Sequence, residues 1–253
     1  MKTKSIYNHF DSVICINLDF RKDRREEAQN NFEKLNIPAK FFIVKKHEKG
    51  GRYGCFDSHI KVLQYAQANN YKNILVFEDD FIPTRGYDEK IIKKAIDFMK
   101  TNNDWDIFYF GYSSINTNLS NIFFASNYND NIIKHKPLLA HALCYSRCAI
   151  DKILDIYKPY IGNIHYDQFL INHKKLKNYC LLPLMFDQNW LSEFDNSIHS
   201  IPDYIIRKLL PLAKYLELNY NMSMVRYKYK EFFMYLFIIF VCILLIILMI
   251  KYR

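Results

Sequence analysis

Glycine and proline are scarce, six and seven in 253 residues. So few breakers leave little room for flexible linkers, and the chain reads as one good-sized domain plus extras. No internal repeat is visible. The six cysteines, Cys15, Cys55, Cys144, Cys148, Cys180 and Cys242, lack the spacing of a disulfide framework. Cys144 and Cys148 have no second Cys or His pair at structural-zinc spacing. These thiols read as reduced and mostly buried, as in a cytosolic compartment. Met1 to Phe10 contains no apolar core of a secretory signal. Net charge is +9, yet no dense Lys/Arg tract resembles a nucleic-acid arm. Nucleic acid is therefore not expected as a partner. Spread basic charge suits a phosphorylated substrate or a phospholipid surface.

Apolar residues make up 50% of the chain and aromatics 17%, with twenty Tyr and twenty Phe. That is enough to build a substantial core and argues against disorder. One apolar run stands out: Asn73-Ile74-Leu75-Val76-Phe77 ends abruptly in Glu78-Asp79-Asp80. Three adjacent carboxylates repel one another, and a divalent cation is the usual compensation. A solvated turn after a buried strand is the plainer alternative. Alternation along an extended segment predicts that Glu78 and Asp80 point one way and Asp79 the other.

Periodicity predicts alternating strands and helices. Strands are expected at Val13 to Leu18, Phe41 to Val44, Ile74 to Phe77, Trp105 to Phe110, Leu138 to Tyr145 and Cys180 to Met185. Helices are expected at Lys22 to Leu35, Gly54 to Asn69, Tyr87 to Lys100, Ala149 to Tyr157 and Tyr166 to Lys174. This order implies an α/β fold, Rossmann-type, with a mostly parallel sheet covered on both faces. Ligands then belong at the carboxyl ends of strands, where Asp19 and Glu78 to Asp80 fall.

Phe232 to Ile250 is nineteen residues without a charge. As a helix it would span about 28 Å, close to a bilayer's hydrocarbon thickness. Arg226, Lys228 and Lys230 precede it, and Lys251 and Arg253 follow. The expectation is a single-pass C-terminal tail anchor with the folded part on the cytosolic side of a membrane. Residues 203–231 form a basic, membrane-proximal segment. Within it, Tyr204 to Leu216 reads either as an amphipathic helix on the membrane or as a last helix packed on the domain.

Four stretches in order resemble glycosyltransferase family 25, the lipooligosaccharide and collagen galactosyltransferase group. They are Ile16-Asn17-Leu18-Asp19 with Arg21, Asp23, Arg24 and Arg25; Gly54-Cys55 with Ser58-His59; Ile74 to Asp80; and His141-Ala142 to Ser146 with Asp167 to Leu170. The match covers about residues 11–200, within an expected catalytic domain of residues 1–202. It implies a GT-A-like fold, a UDP-hexose or similar nucleotide-sugar donor, a hydroxyl acceptor on a glycan or protein, and a divalent metal, Mn²⁺ or Mg²⁺. It also implies inversion at the sugar carbon.

The resemblance places Asn17, Asp19, Arg21, Arg24, Ser58, His59 and Asp79 at the donor. Glu78 and Asp80 would ligate the metal, with His199 a further candidate ligand. Asp167 would be the general base that takes the acceptor hydroxyl's proton. Arginines offer forked donors to phosphate oxygens, although these three also suit the solvated face of the following helix. Gly54 is expected at a helix start, with Ser58 and His59 in the first turn. His59 suits a buried structural imidazole as well as a donor contact, and Asp167 suits a helix cap. Two other classes stay open: a metal-dependent phosphodiesterase, and a non-catalytic membrane-bound binder on a decayed enzyme fold. The phosphodiesterase lacks a second acidic or His cluster for a two-metal site.

Overall fold

Strand β1 (Ser12–Leu18) shows how the sheet is buried. Its side chains alternate, Val13 and Cys15 to one face and Ile14 and Ile16 to the other, and both sets are buried. Strand β3 (Asn73–Glu78) repeats the pattern, with Ile74 and Val76 opposite Leu75 and Phe77. A strand apolar on both faces needs cover on both, and the helices supply it. The computed structural model describes residues 5–113, 126–129 and 131–189. Beyond these it describes 217, 220, 221, 223, 224 and 239.

The remaining elements in chain order are α1 (Lys22–Lys34), β2 (Ala39–Val44), α2 (Gly51–Ala68), β4 (Phe81–Pro83), α3 (Glu89–Thr101), β5 (Ile107–Ser113), β6 (Ser126–Asn129), β7 (Ile132–Lys134), β8 (Leu138–Ser146), α4 (Arg147–Ile156), α5 (Tyr166–Asn172), β9 (Asn178–Leu181) and β10 (Phe186–Gln188). Asp88 caps α3 by accepting from the Lys90 amide at 2.8 Å, and Ser146 caps α4 by accepting from Ala149 at 3.1 Å. Helices α1 and α3 cover one face, where Ala28, Phe32, Ile92 and Ile96 pack. Helices α2, α4 and α5 cover the other with Phe56, Ile60, Ile150 and Phe169.

The strands form one mixed sheet in the order β2-β1-β3-β8-β5-β9-β7-β6, with β10 and β4 joined at β5. β1 is parallel to β2 and β3, β5 is parallel to β9 and β10, and β8 runs antiparallel between β3 and β5. Strands β7 and β4 also oppose their neighbours. The expected direction thus holds for most strands, and β8, β7 and β4 are the exceptions among the described residues.

Boundaries differ where local chemistry overrides the pattern. Helix α2 begins at Gly51, one turn before the expected Gly54, because Gly50 turns the chain at φ +92°. Trp105 lies outside β5 and instead donates its indole N–H to the Met99 carbonyl at 3.3 Å. Among the described residues no helix is long and apolar enough to cross a membrane. Phe232 to Ile250, except Ile239, lies outside the described residues, as do His199 and Tyr204 to Leu216. Within 203–231, Tyr220 and Ser223 are buried against the domain: Ser223 accepts from the Leu184 amide at 3.1 Å and Arg85 lies over the Tyr220 ring.

Candidate functional site

The carboxyl ends of β1 and β3 lie side by side, with Ile16 in register with Glu78. β3 stops at Glu78, and Asp79 and Asp80 form a turn into β4. The turn is pinned at both ends by fully buried rings. Phe77 and Phe81 are 4.6 Å apart between centroids, Phe81 stacks on Phe32 at 4.7 Å, and Phe186 meets Phe77 edge-on at 5.1 Å. Each such buried ring contributes about 1.5–3 kcal/mol, so the acids sit on a rigid base.

The expected alternation does not hold here. A turn follows Glu78, and all three acids line one cavity with Arg24, Ser58, His59 and Gln188. Asp79 is 7% exposed and clamped: Asn17 Nδ2 donates to it at 2.7 Å and Arg24 Nη1 at 3.2 Å. Asp80 takes a hydrogen bond from Gln188 Nε2 at 3.0 Å, and Arg24 Nη1 is 3.7 Å away. Its Oδ1 is buried without a hydrogen-bond partner among the described residues. Glu78 Oε1 meets His59 Nε2 at 3.0 Å, with Cys55 Sγ at 3.8 Å.

The electrostatics follow from this crowding. Burial, reinforced by Glu78, pushes the Asp80 carboxyl up to about 7 against the partial relief of Arg24. Burial also raises Asp79, opposed by Arg24 and Asn17. For Glu78 burial acts upward too, but the hydrogen bond and charge of His59 outweigh it and hold the carboxyl below its usual range. A carboxylate held near neutrality, with one buried oxygen unpaired, fits a bound cation. Asp80 and Glu78 are the residues that would hold one.

The other expected donor residues separate into two groups. Arg24 lines the cavity, whereas Arg21 forks onto Asp23 at 2.8 Å and Arg25 donates to Asn17 Oδ1 at 2.7 Å. Asn17 is buried and bonds Arg21's carbonyl, Arg25 and Asp79, so it braces the acids. Asp19 is exposed and accepts from the Phe20 amide. Ser58 and His59 lie in the second and third turns of α2, not the first, because the helix starts at Gly51. Ser58 Oγ donates back to the Gly54 carbonyl at 2.6 Å, and the His59 ring stacks on Tyr166 at 4.3 Å. Asp167 is in the first turn of α5, where His165 is the cap. Its two oxygens accept from Gln168 at 2.7 Å and from Leu139 at 3.0 Å, and Leu139 has φ +71°. Asp167 does not line the cavity; burial and then Glu78 push the Cys55 thiol in its wall up, and the Asp167 charge adds to this.

Three rim residues went unmarked in the sequence. Lys45, Lys46 and His47, between β2 and α2, give the cavity a basic rim. Gly54 lets that loop close on α2, since a Cβ there would stand 3.1 Å from His47 Cβ. His141, from the fourth of the stretches named above, does not line the cavity; it is buried 3.3 Å from the Phe186 carbonyl, with a pKa lowered by burial. A run of two lysines and a histidine after a strand that ends beside β1 was the available signal.

Residues 43–169 match the profile described as Glycosyltransferase family 25 (LPS biosynthesis protein). A "Glycosyltransferase 25 family member" of Aedes aegypti is 27% identical, over 39% of this chain and 21% of that protein, so the chain spans about a fifth of that relative's length. Among solved structures, a glycosyltransferase involved in glycosylation of the major capsid of PBCV-1 is 11% identical, with 73% of this chain and 95% of that chain covered and a TM-score of 0.45. A Drosophila galactosyltransferase mutant in complex with manganese, UDP-Gal and xylobiose is 10% identical, with 78% and 79% covered and a TM-score of 0.39.

Proposed function

Because the chain belongs to glycosyltransferase family 25, we propose that it moves a hexose, galactose or glucose, from a UDP-sugar to a hydroxyl acceptor by inverting displacement. The observation that carries this reading is the convergence of Glu78, Asp79, Asp80 and Arg24 on one cavity with a basic rim. A divalent cation such as Mn²⁺ there would neutralise the departing diphosphate. Asp80 and Glu78 would hold it, while Asn17 and Arg24 hold Asp79 and keep the turn in shape. His199, outside the described residues, remains a further candidate ligand.

Lys45 and Lys46 face the same cavity and supply positive charge for phosphate oxygens. Asp167 is the proposed base. Each of its oxygens keeps a second lone pair beyond its backbone contact, and the two contacts fix its orientation. The sugar's acceptor is a glycan or protein hydroxyl, and the apolar segment 232–250 would tether the enzyme to a membrane with the domain in the cytosol.

Calorimetric titration of UDP, UDP-galactose and UDP-glucose into the full chain, with Mn²⁺ or with EDTA, tests the reading. Binding that requires the metal is expected. Equal binding in both buffers would remove the cation from the account, and no binding to any of the three would remove the donor.

A further inference from the structure

The cavity wall holds a thiol and an imidazole that the proposed transfer leaves without a chemical role. Cys55 and His59 stand four residues apart on α2, so both project from one face of the helix. They meet Glu78 at the end of β3. His59 Nε2 is 3.0 Å and Cys55 Sγ 3.8 Å from the same Glu78 oxygen, and the three ligand atoms lie within 4.8 Å of one another. Around a tetrahedral zinc, with bonds of about 2.0–2.3 Å, ligand atoms stand roughly 3.3–3.8 Å apart. The two edges at Glu78, 3.0 and 3.8 Å, stand within a few tenths of an ångström of those separations, so the first opens slightly and the third, at most 4.8 Å, closes as the side chains turn onto an ion.

The placement is held from outside. The His59 ring lies flat against Tyr166, at 4.3 Å and 13° between planes, which keeps Nε2 aimed at Glu78. Phe56 and Ile60, the neighbours of the two ligands on α2, are buried in the core and fix the helix. Cys55, His59 and Glu78 all line the cavity, so a fourth coordination position would open into it.

We propose that Cys55, His59 and Glu78 form a binding site for a thiophilic divalent ion, zinc foremost, beside the hard-cation position at Asp80. Ligand chemistry separates the two. Carboxylate oxygens alone suit Mg²⁺ or Mn²⁺, whereas a thiolate with an imidazole selects zinc. On coordination the Cys55 thiol gives its proton to solvent and the sulfur binds as thiolate. Glu78 is shared, so an ion here withdraws it from the hard-cation role. That consequence rests on the transfer reading, and zinc should then weaken Mn²⁺-dependent UDP binding.

The site itself is tested without donor or turnover. The full chain is loaded with Co²⁺, and the thiolate-to-cobalt charge-transfer band is recorded. The band is expected in the native chain and in Cys148→Ser, and should be lost in Cys55→Ser. X-ray absorption of the zinc-loaded native chain supplies a second reading that needs no variant to fold. One sulfur at about 2.3 Å with nitrogen and oxygen neighbours is expected. A shell of nitrogen and oxygen alone, a band that survives Cys55→Ser, or failure to bind one zinc per chain would each overturn the site.

Discussion

Replacing Asp80 by Asn should stabilise the metal-free protein while abolishing its response to metal. The carboxyl sits at about 7, against 3.8 for an aspartate in water. At about 1.4 kcal/mol per tenfold in proton affinity, that gap sets a ceiling of about 4 kcal/mol on the cost of ionising Asp80 in place. Relaxation of the turn and the response of solvent reduce this to about 1–2 kcal/mol. Asn keeps an oxygen for the Gln188 amide to donate to, so no hydrogen bond need be lost. In a domain of this size 1 kcal/mol moves the melting temperature by about 2–4 °C, so a rise of about 2–8 °C is expected. The sign has a pH signature. The folded value is raised, so the penalty is absent where Asp80 is protonated in both states, below about 3.8. It grows with pH and is complete above about 7, and the advantage of the Asn variant follows the same course. Thermal melts in EDTA from pH 4 to 8, repeated with Mn²⁺ and UDP, provide the assay. The reasoning fails if Asp80→Asn melts lower than the native chain in EDTA at pH 8, or if Mn²⁺ with UDP still raises its melting temperature.

Asp167→Asn should lower kcat by about 10²–10⁴-fold with donor affinity unchanged, because it removes a proton acceptor needed only during attack. It should also cost about 1 kcal/mol, since the amide nitrogen would face the Gln168 or Leu139 N–H; normal turnover in the folded fraction would make Asp167 merely structural. Gly111→Ala should destabilise by about 1–3 kcal/mol, read from denaturant melts, because the new Cβ would lie 2.3 Å from His141 Nε2 and 3.0 Å from the Phe186 carbonyl. Removing residues 226–253 should leave a soluble chain that binds donor, whereas removal from residue 203 also takes Tyr220 and Ser223 off the domain and should lower its melting temperature. Equal melting of the two truncations would show that this packing contributes nothing.

The strands and helices that position the site were legible because each carries its own periodicity. The run from Ile74 to Phe77 reads as a buried strand in any context, and the acids after it mark its end. Direction was not legible for β8: a strand buried on both faces looks the same whichever way it runs, and its antiparallel place between β3 and β5 depends on distant partners. Strands β4 and β10, three residues each, are too short to show a period. The three arginines differ in a way that helical spacing carries. Arg24 heads the stripe of Ala28 and Phe32 at four-residue spacing, so it faces inward, whereas Arg21 and Arg25 do not share that stripe. Cys55 stands in one of the stretches that carry the resemblance, but its approach to Glu78 joins a helix to the next strand and leaves no local signal.

The central claim is that the acids after β3 hold a cation against a donor diphosphate. Crystals of the chain grown with Mn²⁺ and UDP, measured at the manganese absorption edge, test it most directly. The account predicts an anomalous peak ligated by Asp80, with the diphosphate on the same ion and turned toward Lys45 and Lys46. A peak away from Glu78 to Asp80, or UDP seated in the cavity with no ion beside these carboxylates, would contradict it.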